Sequence, residues 1–155
     1  MINKIFATIA EALADIKDGS TVMIGGFGGA GQPGELIDGL IAQGARDLTV
    51  VNNNAGNGDT GLAALLGTGR VRKIICSFPR QVDSHIFDGL YRSGKLELEL
   101  VPQGNLAERI RAAGAGIGAF FPRPVTAPIS RRARKRAKSM AACTCWKCRS
   151  MPMSR

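Results

Sequence analysis

Ile24-Gly25-Gly26-Phe27-Gly28-Gly29-Ala30-Gly31-Gln32-Pro33 reads as the end of a β-strand, a glycine-rich turn and the opening of a helix. Before it, Asp18-Gly19 turns the chain into Ser20–Ile24, a short run of β-forming residues. After it, the stretch from Pro33 to Ile41 has helical character, with Pro33 suited to the first position and Glu35 near the positive end. Glycines at a strand-to-helix turn let backbone amides come close to an anionic ligand, and the helix start adds partial positive charge. The stretch is the first β-α step of an α/β fold.

Working outward, the same alternation repeats. Ile5, Ile9, Leu13 and Ile16 recur at helical spacing ahead of the first strand. Leu48–Val51 predicts a second strand, followed by a polar Asn/Gly loop and the apolar stretch Leu62–Leu66. Val71–Cys76 predicts a third strand. Ile86, Phe87, Leu90 and Tyr91 mark one face of a helix, and Leu96–Leu100 a fourth strand. Leu and Glu alternate in that last strand, which fits an edge or boundary position. Asn105 with Glu108 three residues later resembles a capping box and predicts a helix starting there. Short β-α connections of this kind predict a mostly parallel sheet flanked by helices.

Gly26, Gly28 and Gly31 also satisfy the GxGxxG pattern, so a Rossmann domain binding NAD(P) is a competing reading. That fold wants an acid at the end of the second strand to hold a ribose. Here Asn52-Asn53-Asn54 stand at that end, and the nearest acid, Asp47, precedes the strand. A glycine-rich turn packed on its neighbour, with no ligand, is the third reading.

The formal charge of +9 suggests a nucleic-acid partner until it is divided along the chain. Residues 122–155 hold ten of the 21 Lys and Arg and no acid, leaving eleven bases against twelve acids in residues 1–121. The basicity therefore belongs to the tail, where Cys143, Cys145 and Cys148 also gather. Without a well-placed fourth ligand these make a weak zinc signal. A nucleic-acid- or zinc-binding tail on an α/β domain is thus an alternative from another class. His85 is the only histidine, which makes histidine metal pairs and a Ser-His-Asp triad hard to build. No metal site is expected. No run of 18 apolar residues predicts a membrane span, and the first residues lack the pattern of a signal peptide, so a cytoplasmic protein is expected.

Several of these motifs, taken together, carry a resemblance. Asp18-Gly19-Ser20-Thr21-Val22-Met23-Ile24-Gly25-Gly26-Phe27, then Gly31-Gln32-Pro33 after three residues, resembles the signature of family I CoA-transferase alpha subunits. Asn53-Asn54-Ala55-Gly56, Val71-Arg72-Lys73, Cys76-Ser77 and Val101-Pro102-Gln103-Gly104-Asn105-Leu106-Ala107-Glu108-Arg109-Ile110-Arg111-Ala112 follow in the family's order. The likeness covers residues 1–121. It implies a CoA-transferase-type α/β domain that moves CoA from succinyl-CoA to a 3-oxo acid, 3-oxoadipate first and acetoacetate second.

The resemblance also implies where the chemistry sits. A glutamate of a beta subunit is the expected nucleophile, so no catalytic residue is expected in this chain. The beta subunit is the expected partner, in a heterodimer or heterotetramer, with no nucleic acid and no membrane. No cofactor is expected, since the coenzyme A thioester is itself the substrate. By resemblance Gly25, Gly26, Phe27, Gly28, Gly29, Gly31 and Pro33 line the ligand site with Asn53, Asn54, Gln103 and Gly104. Phe27 packs on substrate or in the core, and Asn105 is expected to cap its helix rather than bind.

After Phe121 neither helical nor strand periodicity continues. Regrouping the codons of the tail one base earlier explains this. Met140-Ala141 then yields glycine, Cys145-Trp146-Lys147 yields leucine and glutamate, and Met151-Pro152 yields alanine. That spacing resembles a run of the same family, as does Pro122–Pro128 regrouped. The expectation is that residues 122–155 are a frameshifted, disordered tail, and that the parallel sheet is incomplete at its C-terminus and the chain inactive.

Overall fold

A computed structural model describes residues 5–120, so the tail, its cysteines and the expected shift of frame lie outside the described residues. The chain divides into two units, Met1–Gln103 and Gly104–Arg155. In the first, α1 (Ile9–Leu13), β1 (Thr21–Met23), α2 (Gly34–Gln43), β2 (Leu48–Val51), α3 (Leu62–Gly67), β3 (Val71–Cys76), α4 (His85–Arg92) and β4 (Glu97–Leu100) follow one another. The strands form a four-stranded parallel sheet in the order β1-β2-β3-β4. A sequential parallel order with right-handed crossovers puts the connecting helices on one face. α1 meets α2, α2 meets α3 and α3 meets α4 in that row.

The core fills the space between this face and the helices. Leu48 and Val50 of β2, Ile74 and Cys76 of β3 and Leu62 of α3 are fully buried, joined by Ile37 and Leu40 of α2 and Phe87 of α4. The continuously buried pattern of β2 is that of a central strand in a parallel sheet. Five residues are too few for a helix to stand alone. α1 is instead fixed by the Thr8 hydroxyl, which accepts from Glu11 N at 3.2 Å, and by a close approach to α2 at Gly39. A Cβ at Gly39 would strike Ile9, and Leu13 Cδ1 at 2.9 Å.

β4 is one edge of the sheet among the described residues, in keeping with its Leu/Glu alternation. Its glutamates are tied to β3. Lys73 Nζ lies 2.9 Å from Glu97 Oε1 and 2.9 Å from Glu99 Oε2, while being itself almost wholly buried. Burial pulls the Lys73 ammonium's pKa down, but hydrogen bonds and charge pairing with Glu97 and Glu99 outweigh it and hold it above 10.5. The hydrogen bond from Lys73, and then its charge, hold the Glu97 carboxyl below its ordinary 4.5.

Three local expectations change, and one unassigned stretch is resolved. The helix after β4, α5 (Gln103–Gly114), opens directly after Pro102, so Asn105 lies inside it rather than capping it. Proline fixes φ near the helical value and gives up no useful donor at a helix start, and this outweighs the capping pattern two residues on. Glu108 is correspondingly no cap; its carboxylate takes the guanidinium of Arg111 at 2.8 Å. Pro33 is the N-cap of α2 rather than its first residue. The apolar stretch Leu62–Leu66, too short for its period to be read, is helix α3.

Candidate functional site

β1 leads into the glycine turn with Ile24 N still donating to Val51 O at 2.9 Å. The turn then closes on itself. Phe27 N donates to Ala30 O at 2.9 Å and Ala30 N to Phe27 O at 3.2 Å, making Gly28-Gly29 the tip of a tight reversal. Gly26 has φ 114, and a Cβ there would meet Gln32 Cγ at 2.7 Å and Gln32 N at 3.1 Å, so only glycine fits. Phe27 is 69% exposed, which removes core packing as its role.

The end of β2 supports this turn from behind. Residues in extended chain alternate sides, and the three asparagines divide accordingly. Asn52 and Asn54 are buried, and Asn53 is half-buried. The Asn52 carboxamide donates to Ile24 O at 2.7 Å and Gly25 O at 3.2 Å, and its oxygen accepts from Asn54 N at 2.9 Å. The Asn54 carboxamide donates to Gly28 O at 3.4 Å and accepts from Gly56 N at 2.9 Å. Gln32 donates to the same Gly28 carbonyl at 2.9 Å. Asn53 instead accepts from the Ser77 hydroxyl at 2.5 Å, linking the ends of β2 and β3.

The other expected residues stand apart. Gln103 is exposed and opens α5 just past β4, whose continuation Val101 donates to Cys76 O at 2.9 Å. It shares the carboxyl end of the sheet with the glycine turn but lies toward the opposite edge, three strand spacings or roughly 14 Å away. Gly104 is the next residue of α5 and belongs to the second unit. Sequence reasoning did not single out Asn52 or Gln32 as part of the site. Period-two alternation past β2 was the available signal for Asn52, and the position of Gln32 between Gly31 and Pro33 the one for Gln32.

Beside the turn lies a cleft of about 480 Å³ lined by Gly28, Gly29, Gln32, Asp38, Asp59 and Thr60, among others. Its two carboxylates and lack of a cation suit it poorly to phosphate groups. No cluster of His, Cys, Asp and Glu among the described residues could hold a metal ion. Nor does a glutamate line this cleft. Glu11 caps α1, Glu97 and Glu99 pair with Lys73, Glu108 pairs with Arg111, and Glu35 lines a separate groove with Ile9 and Gly39. Cys76, at the end of β3, is buried, and burial pushes its thiol up to about 12, far from a thiolate at neutral pH. The dinucleotide reading lacks its acid here too, because Asp47 lies at the other end of β2, 2.9 Å from Arg72 Nε.

A glycine turn backed by carboxamides thus stands at the carboxyl end of a parallel sheet. The family profile described as Coenzyme A transferase matches residues 6–143. The chain belongs to the coenzyme A transferase family. It is 72% identical over 121 residues to a subunit of the 3-oxoadipate CoA-transferase of Pseudomonas putida, an alignment covering 78% of this chain and 52% of that protein. It is 49% identical over 118 residues to succinyl-CoA:3-ketoacid coenzyme A transferase 2, mitochondrial, of Homo sapiens, covering 76% of this chain and 22% of that one. Among solved structures, glutaconate coenzyme A-transferase from Acidaminococcus fermentans superposes with a TM-score of 0.65 at 26% identity, covering 83% of this chain and 40% of that chain. This family member spans about half the length of the Pseudomonas protein it matches. No helix among its described residues is long and apolar enough to cross a membrane.

Proposed function

We propose that this chain is the alpha-subunit side of a cytoplasmic CoA-transferase that moves CoA from succinyl-CoA to a 3-oxo acid, with 3-oxoadipate the preferred acceptor and acetoacetate the second. The observation that carries the reading is a glycine turn whose cleft no glutamate among the described residues lines, in a family member 72% identical over 121 residues to part of a 3-oxoadipate CoA-transferase. The weaker 49% identity to a 3-ketoacid enzyme supports the order of the acceptors.

In this reading a beta-subunit glutamate attacks the succinyl-CoA carbonyl, expelling the CoA thiolate and leaving a mixed anhydride. The thiolate then attacks the glutamyl carbonyl, releasing succinate and leaving a glutamyl-CoA thioester. The acceptor carboxylate reverses both steps. Each attack gathers negative charge on a carbonyl oxygen, which fixed amide donors can stabilise. The Gly25–Gly31 turn is the donor this chain offers to that oxygen, and the Gln103 carboxamide, toward the opposite edge of the sheet, holds another part of the bound thioester. Neither needs a metal or cofactor.

Residues 122–155 are best explained as translation in a shifted frame. The 121-residue extent of the Pseudomonas alignment supports this, and the profile match running to residue 143 weighs against it. Sequencing the DNA across the Phe121 codon decides between them.

The test is co-expression with the beta subunit, using both the 155-residue chain and a frame-corrected one. The corrected complex should transfer CoA to 3-oxoadipate faster than to acetoacetate, and the 155-residue chain should transfer none. Gln103→Ala in the active complex should raise KM for succinyl-CoA severalfold without shifting the melting temperature. A corrected complex that transfers no CoA to either acid would sink the proposal.

A further inference from the structure

We propose that Asn52, Asn54 and Gln32 are positioning residues that aim the amides of Gly26 and Gly29 at the reacting carbonyl oxygen, Asn52 and Asn54 without touching substrate. The inference rests on the reading that the glycine turn faces the acyl-CoA.

The argument starts from the peptide plane. In a trans peptide the carbonyl of one residue and the N–H of the next point in opposite directions, and no peptide bond among the described residues is cis. Fixing a carbonyl therefore fixes the donor behind it. Asn52 draws in the Gly25 carbonyl, which turns the Gly26 N–H the other way. Gln32 and Asn54 both draw in the Gly28 carbonyl, which does the same for the Gly29 N–H. Among the described residues neither of those two amides has an acceptor, whereas Phe27 N and Ala30 N, between and beyond them, are spent on each other's carbonyls.

The carboxamides have no freedom to turn round. The Asn52 oxygen is occupied by Asn54 N, and the Asn54 oxygen by Gly56 N. Each amino group is thereby committed to the turn. Asn54 is wholly buried and Asn52 nearly so, leaving no surface for a ligand. From Gly25 to Gly34 the chain holds six glycines and only four other residues, and such a segment would otherwise sample many conformations. These bonds are what hold the Gly25 and Gly28 carbonyls inward.

The test uses the active complex with the beta subunit. Gln32→Glu and Asn54→Asp keep shape and acceptor oxygen but replace the amino donor with a second oxygen, which repels the Gly28 carbonyl. Each should lower kcat per folded molecule about tenfold or more, leave KM for succinyl-CoA within about twofold, and slow 3-oxoadipate and acetoacetate by the same factor. A merely structural role would lower the melting temperature and leave kcat per folded molecule unchanged, which would overturn the proposal. A change in the ratio of the two acceptors with Asn54→Asp would also overturn it, because only a residue touching the acyl group discriminates between them. Should Asn54→Asp not fold, Gln32→Glu and the amide exchange of the unaltered chain decide together.

Amide exchange followed by NMR on the 155-residue chain separates this inference from the functional reading. The Gly26 and Gly29 amides should exchange far faster than those of β2. Slow exchange at both would mean that they are already bonded inward, and would sink the proposal even if the complex proves an active transferase. If no complex transfers CoA, the functional reading fails and the exchange result still stands on its own.

Discussion

The turn after β1 and the strand β4 occupy opposite edges of one sheet, and they are held by different chemistry. At the turn, neutral carboxamides grip backbone carbonyls, and the side chains that do so are buried or half-buried. At β4, an almost buried lysine grips two glutamates that are themselves partly exposed. Carboxamides do not titrate, so the first arrangement keeps its geometry across the pH range. The second depends on charge and is open to acid, base and salt. The difference teaches that position in the sheet does not dictate the means of support. The turn is fixed by groups that carry no charge.

The comparison can be broken most severely behind the turn. Gly56 has φ 86, receives the Asn54 oxygen on its N–H, and has the backbone of Ala63 where a Cβ would sit. Gly56→Ala should cost about 3 kcal/mol or more, measured as the shift in urea midpoint. A shift near zero would mean that the asparagine support is not rigid.

Next in size is Lys73→Met. Removing the cation leaves Glu97 and Glu99 facing each other, and stability at pH 7 should fall by about 1–3 kcal/mol, between the exposed and fully buried cases. The Glu97 pKa is lowered in the folded chain. Its contribution is therefore complete above the ordinary carboxylate pKa and is lost as pH falls through the lowered folded value. The Lys73 pKa is raised, so its contribution is complete below 10.5 and is lost as pH climbs past the raised value. The cost of Lys73→Met should thus be flat between about pH 5 and 10 and shrink outside that window. A difference between the two chains that persists unchanged at about pH 2.5 would contradict the ionic account of this edge.

Smaller still is Phe27→Ala. Its exposed ring should contribute less than about 0.5 kcal/mol to stability, while CoA transfer by the complex falls if the ring lies on the substrate. A large loss of stability would place the ring in packing that the structure does not contain. Smallest is the reactivity of Cys76. Its buried thiol, with a pKa pushed up to about 12, should be alkylated only at the rate of unfolding, as peptide-level mass spectrometry can resolve. Rapid labelling in the native state would break the account of the core at the end of β3.

The central strands were legible because their signal is strong and local. Leu48–Val51 is an unbroken β-forming run and Val71–Cys76 one interrupted only by Arg72-Lys73, and both occupy those residues in the structure. The start of α5 was misplaced because two local start signals compete within four residues, and Pro102 acts before the Asn105 pattern can. The glycine turn announced itself through composition. Its supports did not, since Asn52, Asn53 and Asn54 are chemically identical when read along the chain. Only the alternation of extended chain sends two of them inward to the turn and the third towards Ser77. Gln32 was hidden for a related reason, because its bond to Gly28 O depends on the turn doubling back four residues.

A donor supplied by the main chain cannot be deleted by exchanging a side chain. The bonding of the Gly25 and Gly28 carbonyls therefore inverts the usual map of vulnerability. Gly29, where a Cβ would meet nothing within 4 Å, has room to vary although Gly26 does not, and damage enters also through Asn52, Asn54 and Gln32, one layer behind. A mutational survey of this chain would find intolerant residues that face away from the ligand.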